Sequence, residues 1–454
     1  MSDYGTGRAG GGLGGFLRSP GVKAIVVGVL ILAMAVPMVF VSFLVADRAN
    51  RALEVRAEIG TAWGGGAQSL GGPFLIVPVD EPRTRVVDQV ETRYFERGHL
   101  VILPEALSVE AGLEVGRRHR SIHEVLVYGA GLALSGAFLV PDLAGLVEEG
   151  ARILWDEAYL SLEVSDNRGF KGETRFLWGE TRTALAVEPS PRLGLFTGRG
   201  AHARVPGLTA GASIPFALQL TLNGSESLRL LPVGRDTVVR LSAAWPHPSF
   251  QGAFLPTTSR VGADGFEAEW QVPAIARSFG QVFRAETRPS LGEAAFGVDL
   301  HSPVTFYRKV ERATKYAILF FGFVFLTVFL AETLAGGRVH AVQYLLVGAS
   351  QCVFYLLLLS LAEHLGFRPA YAIAAGANVA LVSLYGGVVL GSVRLFLILL
   401  GVLLTVYGLL YSLLELEDHA LLFGSIATFL ALAITMFATR RVDWYGRRLA
   451  RTAD

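Results

Sequence analysis

Charged side chains gather beside the apolar segments of this chain, and their types suit ion pairing. Four acids and two histidines stand at the ends of two apolar segments: Glu363, His364, Glu415, Glu417, Asp418 and His419. Four basic residues precede a third apolar segment: Arg308, Lys309, Arg312 and Lys315. We call these groups the acidic rim and the basic collar. Because opposite charges attract, we hypothesise that rim and collar pair and fix how a neighbouring domain docks. Solvated loop charges are the alternative.

The acidic rim also offers ligand types that metals accept. Glu363, His364, Asp418 and His419 together supply two carboxylates and two imidazoles, which is a further interpretation of the same residues. We retain ion pairing and predict no metal site and no cofactor.

Other motifs of enzyme chemistry are weak or missing in this sequence. His119 and His123 have the spacing that binds zinc on a helix, but the alternation after them indicates a strand, where that spacing gives no ligand geometry. The sequence contains no nucleophile elbow, His-Glu-x-x-His motif or P-loop. We therefore predict that the protein is not an enzyme and has no catalytic or cofactor-binding residues. The net charge of +1 gives no indication of nucleic-acid binding.

Six uncharged apolar segments must position these charges. One lies near the N-terminus and five fill the last third of the chain: 24–46, 316–331, 339–362, 369–393, 395–414 and 420–439. About 20 apolar residues cross a hydrocarbon core roughly 30 Å thick. The sequence therefore predicts a membrane protein with six transmembrane α-helices, one N-terminal and five C-terminal. No ionisable residue is expected at mid-membrane, which argues against a proton-coupled transporter.

Lysine and arginine beside short loops predict the orientation, because basic loops resist translocation. Such residues precede the first segment, mark alternate short loops and follow the last segment: Arg8, Arg18, Lys23, Arg338, Arg394, Arg440, Arg441, Arg447, Arg448 and Arg451. We predict that both termini are cytoplasmic and that the long middle region is periplasmic. The basic collar is an exception to the charge rule, and long translocated domains largely escape that rule. A cleaved signal peptide is the rival interpretation of 24–46, but the segment is long and 45–47 is a poor cleavage site.

The middle region has the pattern of an all-β domain. Short alternating segments bounded by Gly, Pro, Asn or Asp predict strands at 74–79, 123–128, 159–164, 216–222 and 237–242. A charged stretch at 47–59 is expected to continue the first helix outward, and a short helix is expected at 143–149. The fold class is thus a six-helix membrane protein with a large all-β sandwich or curved sheet inserted between helix 1 and helix 2.

The predicted division of the chain follows from these segments. It comprises a flexible Gly-rich cytoplasmic tail (1–21), transmembrane helix 1 (22–46), a periplasmic β-rich domain (47–312), a five-helix transmembrane bundle (313–439) and a basic cytoplasmic tail (440–454). The one cysteine, Cys352, lies in an apolar segment, so the β-rich domain contains no disulfide.

Several strings of residues are distinctive enough to indicate a family. They are QSLGGP (68–73), WPHPSFQG (245–252), GFEAEW (265–270), FGVD (296–299), ERATKYAILF (311–320), HAVQYLLVG (340–348) and FYLLLLSLAEH (354–364). Taken in this order they resemble the CreD family of bacterial inner-membrane proteins, over nearly the whole chain after the Gly-rich leader. Ala341 departs from the resemblance, since a proline is expected there. The resemblance implies a stress-linked role in cell-envelope integrity in the inner membrane of Gram-negative bacteria, and it supplies no catalytic residues or ligand.

Two functions remain open from the sequence. The first is a non-enzymatic protein of cell-envelope integrity or stress response, whose β domain binds a periplasmic protein or a lipid-like ligand. The alternative is a lipid or glycolipid carrier that uses the β domain as an apolar groove. The expected partners are the lipid bilayer and one of these ligands but no nucleic acid, and homo-oligomer formation is left open.

Overall fold

The protein is described by a computed structural model that covers residues 20–87, 90–120, 122–186, 194–197, 199–287, 289–300, 306–335, 339–389, 391–416 and 419–440. The chain divides into two compact units. Met1–Arg51 with Val304–Asp454 form one, which we call the helical unit, and Ala52–Pro303 form the other, the β unit.

Long apolar helices make up the helical unit. In the described part of the chain the α-helices are α1 (Pro20–Ala33), α2 (Ala35–Gly64), α3 (Phe306–Ala335), α4 (Ala341–Leu365), α5 (Phe367–Val389), α6 (Val393–Glu415) and α7 (Ala420–Thr439). Helices α1 and α2 are separated only by a turn at Met34, whose N–H donates to the Leu30 carbonyl at 3.0 Å. They count as one candidate membrane span, so the described residues contain six such spans. The prediction of one N-terminal and five C-terminal membrane helices is confirmed.

Two helices extend beyond the apolar segments that predicted them. Helix α2 continues to Gly64, so the charged stretch after Ala46 is helical as expected, and the part of this helix from Ala52 onward belongs to the β unit. Helix α3 begins at Phe306, and the basic collar therefore forms its first turns rather than a loop. The collar side chains are consequently spaced around a helix, which lets them reach different partners.

Seventeen β-strands are found in the described part of the β unit. They are β1 (Gln68–Val87), β2 (Val90–Ile102), β3 (Ala106–Arg120), β4 (His123–Leu139), β5 (Arg152–Ile153), β6 (Tyr159–Val164), β7 (Phe170–Trp178), β8 (Thr181–Thr183), β9 (Gly200–Arg204), β10 (Ser213–Ser225), β11 (Ser227–Leu230), β12 (Asp236–Ala243), β13 (Pro248–Gly252), β14 (Thr258–Gly262), β15 (Gly265–Pro273), β16 (Val282–Arg284) and β17 (Phe296–Leu300). Every predicted strand segment lies within one of them. The helix expected at 143–149 is only a 3₁₀ turn, Ala144–Leu146.

The strands form two sheets around one core. The first has nine strands: a path β13-β17-β11-β1-β2-β16, with β5 and β6 also paired to β1, and β9 paired to β6. The second has eight strands in the order β14-β15-β12-β3-β4-β10-β7-β8. Aromatic side chains join the two sheets: the ring of Trp270 on β15 lies 5.4 Å from that of Phe296 on β17 and 5.6 Å from that of Phe250 on β13. The domain is therefore an all-β sandwich.

Central strands of the eight-stranded sheet are half-buried, as their alternating sequences require. Along β12 and β15, buried residues alternate with exposed or partly exposed ones. Because strand side chains point to opposite faces in turn, one face packs into the core and the other faces solvent. Polar and charged side chains of this sheet therefore lie on its outward face.

Candidate functional site

The basic collar and acidic rim meet within the helical unit. Lys309 Nζ on α3 lies 2.9 Å from Glu415 Oε2 at the end of α6, and both side chains are largely buried (17% and 27% exposed). The Lys309 ammonium also lies 5.2 Å from the centroid of the Phe367 ring. This ion pair with a cation–π contact ties the first turns of α3 to the last turn of α6.

Neighbouring polar contacts reinforce the same end of the bundle. Arg312 donates to the Leu413 carbonyl at 3.0 Å, which satisfies a backbone oxygen in the last turn of α6. Tyr307 O–H donates to Glu363 Oε1 on α4 at 3.1 Å, and Arg368 Nε on α5 lies 3.6 Å from Glu415 Oε1. Four helices thus share one polar cluster, which we call the rim cluster.

Of the other predicted rim and collar residues, those that the structure describes do not join the rim cluster. Arg308 is exposed, and Lys315 pairs with Glu311 in its own helix at 2.9 Å. His364 is exposed with Nδ1 3.0 Å from the Ser360 carbonyl oxygen, and His419 is exposed. Glu417 and Asp418 lie outside the described residues. A role of these residues in domain docking stays a prediction.

No grouping of three or more metal ligands occurs among the residues that the structure describes. His119 and His123 lie on the two different strands of the β3–β4 hairpin, where Arg120 is paired with His123. The strand interpretation of this histidine pair is therefore correct.

A second charged cluster lies at the far end of helix α3. The Glu332 side chain is only 5% exposed, and it accepts hydrogen bonds from Lys23, from the Val339 N–H at 2.7 Å and from the Tyr344 O–H at 3.0 Å. Lys23 also donates to the Val339 carbonyl at 2.8 Å. The buried carboxylate thereby joins α1, α3 and the start of α4.

A groove with a volume of about 980 Å³ lies on the outward face of the eight-stranded sheet of the β unit. Residues from the edge strand β14 and from β7, which lies near the opposite edge, line the same cavity, so the sheet is concave. A second cavity of about 660 Å³ shares Gly112, Gly131 and Ser242 with the first and continues toward Asp264. We call the combined groove the trough.

Small residues form the floor of the trough and charged residues form its walls. Gly112 on β3 is paired with Gly131 on β4, and Ser242 and Thr221 flank this pair on β12 and β10. The charged residues that line the trough are Glu110, Glu114, Glu173, Arg175, Arg240, Arg260, Asp264, Glu267 and Glu269. The trough therefore offers polar contacts to a ligand.

Ion pairs order one wall of the trough. Arg240 Nε lies 2.9 Å from Glu269 Oε2, and its NH1 lies 3.8 Å from Glu110 Oε1. Hydrogen bonds from Gln271 and Arg240 hold the pKa of the Glu269 carboxyl below its ordinary value, so this carboxyl stays ionised at neutral pH.

The family model described as inner membrane protein CreD matches residues 19–445 of the chain. The chain belongs to the CreD family. A CreD relative from Escherichia coli (strain K12), described as inner membrane protein CreD, is 34% identical over 420 residues, which cover 91% of each chain. Membership in the CreD family, together with the six apolar helices, makes this a multi-pass inner-membrane protein in contact with the lipid bilayer.

Likeness to solved structures is much weaker than likeness to the CreD family. A nutrient binding protein from Legionella pneumophila subsp. pneumophila str. Philadelphia 1 is 10% identical, with coverage of 56% of this chain and 77% of the other and a TM-score of 0.26. A zinc metallopeptidase from Deinococcus radiodurans is 11% identical, with coverage of 44% and 42% and a TM-score of 0.20. These scores do not establish a shared fold.

Sequence reasoning found the rim charges of this CreD-family chain but missed Glu332 and the trough. Glu332 directly follows the apolar segment 316–331, and Lys23 directly precedes the apolar segment 24–46. These matching positions at segment boundaries were the sequence feature that could have indicated their pairing. The bare floor of the trough had a clearer signal, because Gly112 falls on an outward position of an alternating strand. Glycine at such positions leaves a strand face bare.

Proposed function

We propose that this protein is a non-enzymatic component of cell-envelope maintenance, and that its β unit binds an envelope partner through its outward polar face. The observation that carries this proposal is the contrast between a closed apolar core and an open polar trough. Phe74, Leu160 and Phe296 are fully buried inside the sandwich, whereas the trough is lined by charged and small residues. Partner recognition at such a surface requires no catalytic group.

The orientation of the protein belongs to the same proposal. Basic residues beside the short loops favour cytoplasmic termini and a periplasmic β unit. The rim cluster, at the start of the helix that follows the β unit, is then expected on the periplasmic side. We propose that its charges also help to dock the β unit, as the sequence suggested.

Lipid or glycolipid transfer through an apolar groove is the competing function. An acyl carrier needs a continuous apolar cleft, since each exposed CH₂ group costs about 0.8 kcal/mol in water. The leucines that line the trough, Leu113, Leu132, Leu220 and Leu241, are almost entirely buried and face the core. The described cavity therefore favours a polar partner over an acyl chain.

Lipid crosslinking read out by mass spectrometry separates the two functions. The full chain is extracted in its own membrane patches and crosslinked to a photoactivatable phospholipid. It is then digested, and the labelled peptides are identified. We expect labelled peptides from the membrane helices and none from the strands of the β unit. Labelling of the β unit at the residues of its core or trough would instead establish the carrier.

The envelope role is tested by complementation. An Escherichia coli strain that lacks its own CreD relative is supplied with this chain, and its survival in detergent is compared with that of the strain carrying an empty vector. We expect restored survival. Equal survival of the two strains would contradict the role in envelope maintenance.

A further inference from the structure

The floor of the trough is bare at a position where strands normally carry side chains. A Cβ atom added at Gly112 would meet nothing within 4 Å, and one at Gly131 would only approach the Gly112 carbonyl oxygen at 4.0 Å. Neither glycine has a positive φ, so the backbone does not require them. Glycine inside a strand costs roughly 0.5–1 kcal/mol relative to alanine, and it often marks close approach of another backbone.

Charges of both signs without a described partner face each other across this floor. Arg260 on β14 and Glu267 on β15 lie on one wall, and Glu173 and Arg175 on β7 lie on the other. These four side chains are exposed, and among the described residues no ion pair involves them. The Arg240 guanidinium, by contrast, is already paired with Glu110 and Glu269. The four exposed charges are therefore available to a ligand.

The balance of charge excludes several classes of ligand. Six carboxylates and three guanidiniums line the trough, so its net charge is −3. A polyanion such as a nucleic acid needs a surplus of basic residues, so it does not fit. The aromatic residue that lines the trough, Phe266, is buried, so it offers no exposed ring on which a sugar or base could stack. A ligand with both charge signs and a slim backbone fits best.

From this geometry we propose that the trough binds an extended polypeptide segment with both acidic and basic side chains. The peptide backbone lies over the Gly112–Gly131 floor, its cationic side chains meet Glu173 and Glu267, and its anionic side chains meet Arg175 and Arg260. The trough runs along the strands from Glu110 to Glu114, four residues at about 3.4 Å each, so it holds a segment of roughly four to five residues. This inference rests on the proposed function and names the class of its partner.

The experiment uses the full chain in lipid nanodiscs and a defined peptide probe. The probe is a fluorescein-labelled nonapeptide of serines that alternate with Glu and Arg, and peptides of the same length with only Glu or only Arg serve as comparisons. Binding is followed by fluorescence anisotropy. We expect the mixed-charge peptide to bind in a saturable way and more tightly than either single-charge peptide, because only it complements both walls.

Filling the floor of the trough provides the structural test. Gly112→Leu and Gly131→Leu place a side chain where the peptide backbone is expected, and each should weaken binding roughly tenfold or more. Gly116→Leu is the matched control, because Gly116 lies on the same strand, also faces open space and does not line the trough. Thr221→Trp fills the trough from a non-glycine position, so it replaces any glycine variant that does not fold.

Each outcome decides between this inference and its alternatives. Binding that survives Gly112→Leu and Thr221→Trp, or no binding up to about 1 mM peptide, overturns the polypeptide assignment. A tetramer of N-acetylglucosamine that binds and displaces the peptide would also overturn it, since the partner would then be a glycan. Either result leaves the proposed envelope role intact, because that role fails only if complementation fails or lipid labels the β unit.

Discussion

The β unit and the helical unit place polar and apolar side chains in opposite ways. In the β unit, Phe74 and Phe296 are fully buried and the charged residues of the trough face outward. In the helical unit, Phe40 and Leu421 are 71% and 87% exposed, whereas Glu332 is buried. The difference follows from the solvent, since water favours burial of apolar groups and hydrocarbon does not.

Polar side chains therefore serve different purposes in the two units. Polar groups on the outside of the β unit are available to a soluble partner. Polar groups inside the helical unit hold helices together, as where Tyr371 O–H on α5 donates to the Tyr407 carbonyl on α6 at 2.6 Å and Asn378 Nδ2 on α5 donates to the Tyr407 hydroxyl. The two units should therefore respond differently to the same kind of substitution.

The largest effect is expected in the apolar core of the β unit. Trp270 is almost completely buried, and its indole N–H donates to the Phe254 carbonyl at 3.2 Å. Trp270→Ala should lower the free energy of unfolding of the β unit by about 4 kcal/mol, through a cavity and a lost hydrogen bond. Leu255→Ala is the control, because Leu255 is 73% exposed, and it should change stability by less than about 0.5 kcal/mol. Denaturant unfolding followed by intrinsic fluorescence measures both, and equal effects would contradict the assigned core.

The next largest effect is expected at the buried carboxylate of the helical unit. Glu332→Ala leaves Lys23, the Val339 N–H and the Tyr344 O–H without their acceptor, which should cost about 2–3 kcal/mol. Glu311→Ala on the same helix removes an exposed carboxylate and should cost no more than about 0.5 kcal/mol. Unfolding by SDS in mixed micelles compares the variants, and a Glu332 variant as stable as the Glu311 variant would show that the buried cluster does not stabilise the bundle.

A smaller, pH-dependent effect is expected on the β unit. Arg284 and Arg83 contact the buried Glu81 carboxylate, and the hydrogen bond from Arg284 holds the pKa of Glu81 below its ordinary value of 4.5. Because the folded-state pKa is the lower one, the stabilisation is present above about pH 4.5 and is lost as the pH falls through the folded-state value.

Glu81→Gln should therefore cost about 1 kcal/mol at pH 7 and progressively less below pH 4.5. Unfolding of both proteins between neutral and acidic pH measures this. A stability difference that does not change with pH would contradict the ionised pair.

The smallest effect is expected in the rim cluster. Lys309→Met and Glu415→Gln, singly and combined, should reveal a coupling energy of about 0.5–1 kcal/mol, because both side chains are partly exposed. Charge reversal of Glu415 should also increase protease cleavage near Pro303 if the rim helps to dock the β unit. Unchanged cleavage would leave Lys309 and Glu415 as a contact within the helical unit alone.

The sequence predicted the fold better than the site, for physical reasons. In long uncharged segments such as 24–46 and alternating strands such as 237–242, the type of each side chain depends on whether it faces lipid, water or the core. The sequence pattern therefore predicts these elements directly. The sequence also predicted that collar and rim charges pair, as Lys309 and Glu415 do, because both groups flank apolar segments. The shape of the trough could not be predicted in this way, because it depends on which strands become neighbours and on the curvature that brings β14 and β7 to one cavity.

Binding of a partner in the trough is tested most directly by the accessibility of the trough in native membranes. The sequence has one cysteine, Cys352, which is buried, so Ser242→Cys reports on the trough and Thr181→Cys reports on an exposed strand outside it. The rate of modification by a membrane-impermeant maleimide is measured in native membrane patches and in purified nanodiscs. We predict that the Ser242→Cys protein is modified more slowly in native patches than in nanodiscs, and that the Thr181→Cys protein is modified at the same rate in both. If the Ser242→Cys protein is also modified at the same rate in both preparations, no partner occupies the trough in the native membrane, which would contradict binding at this surface.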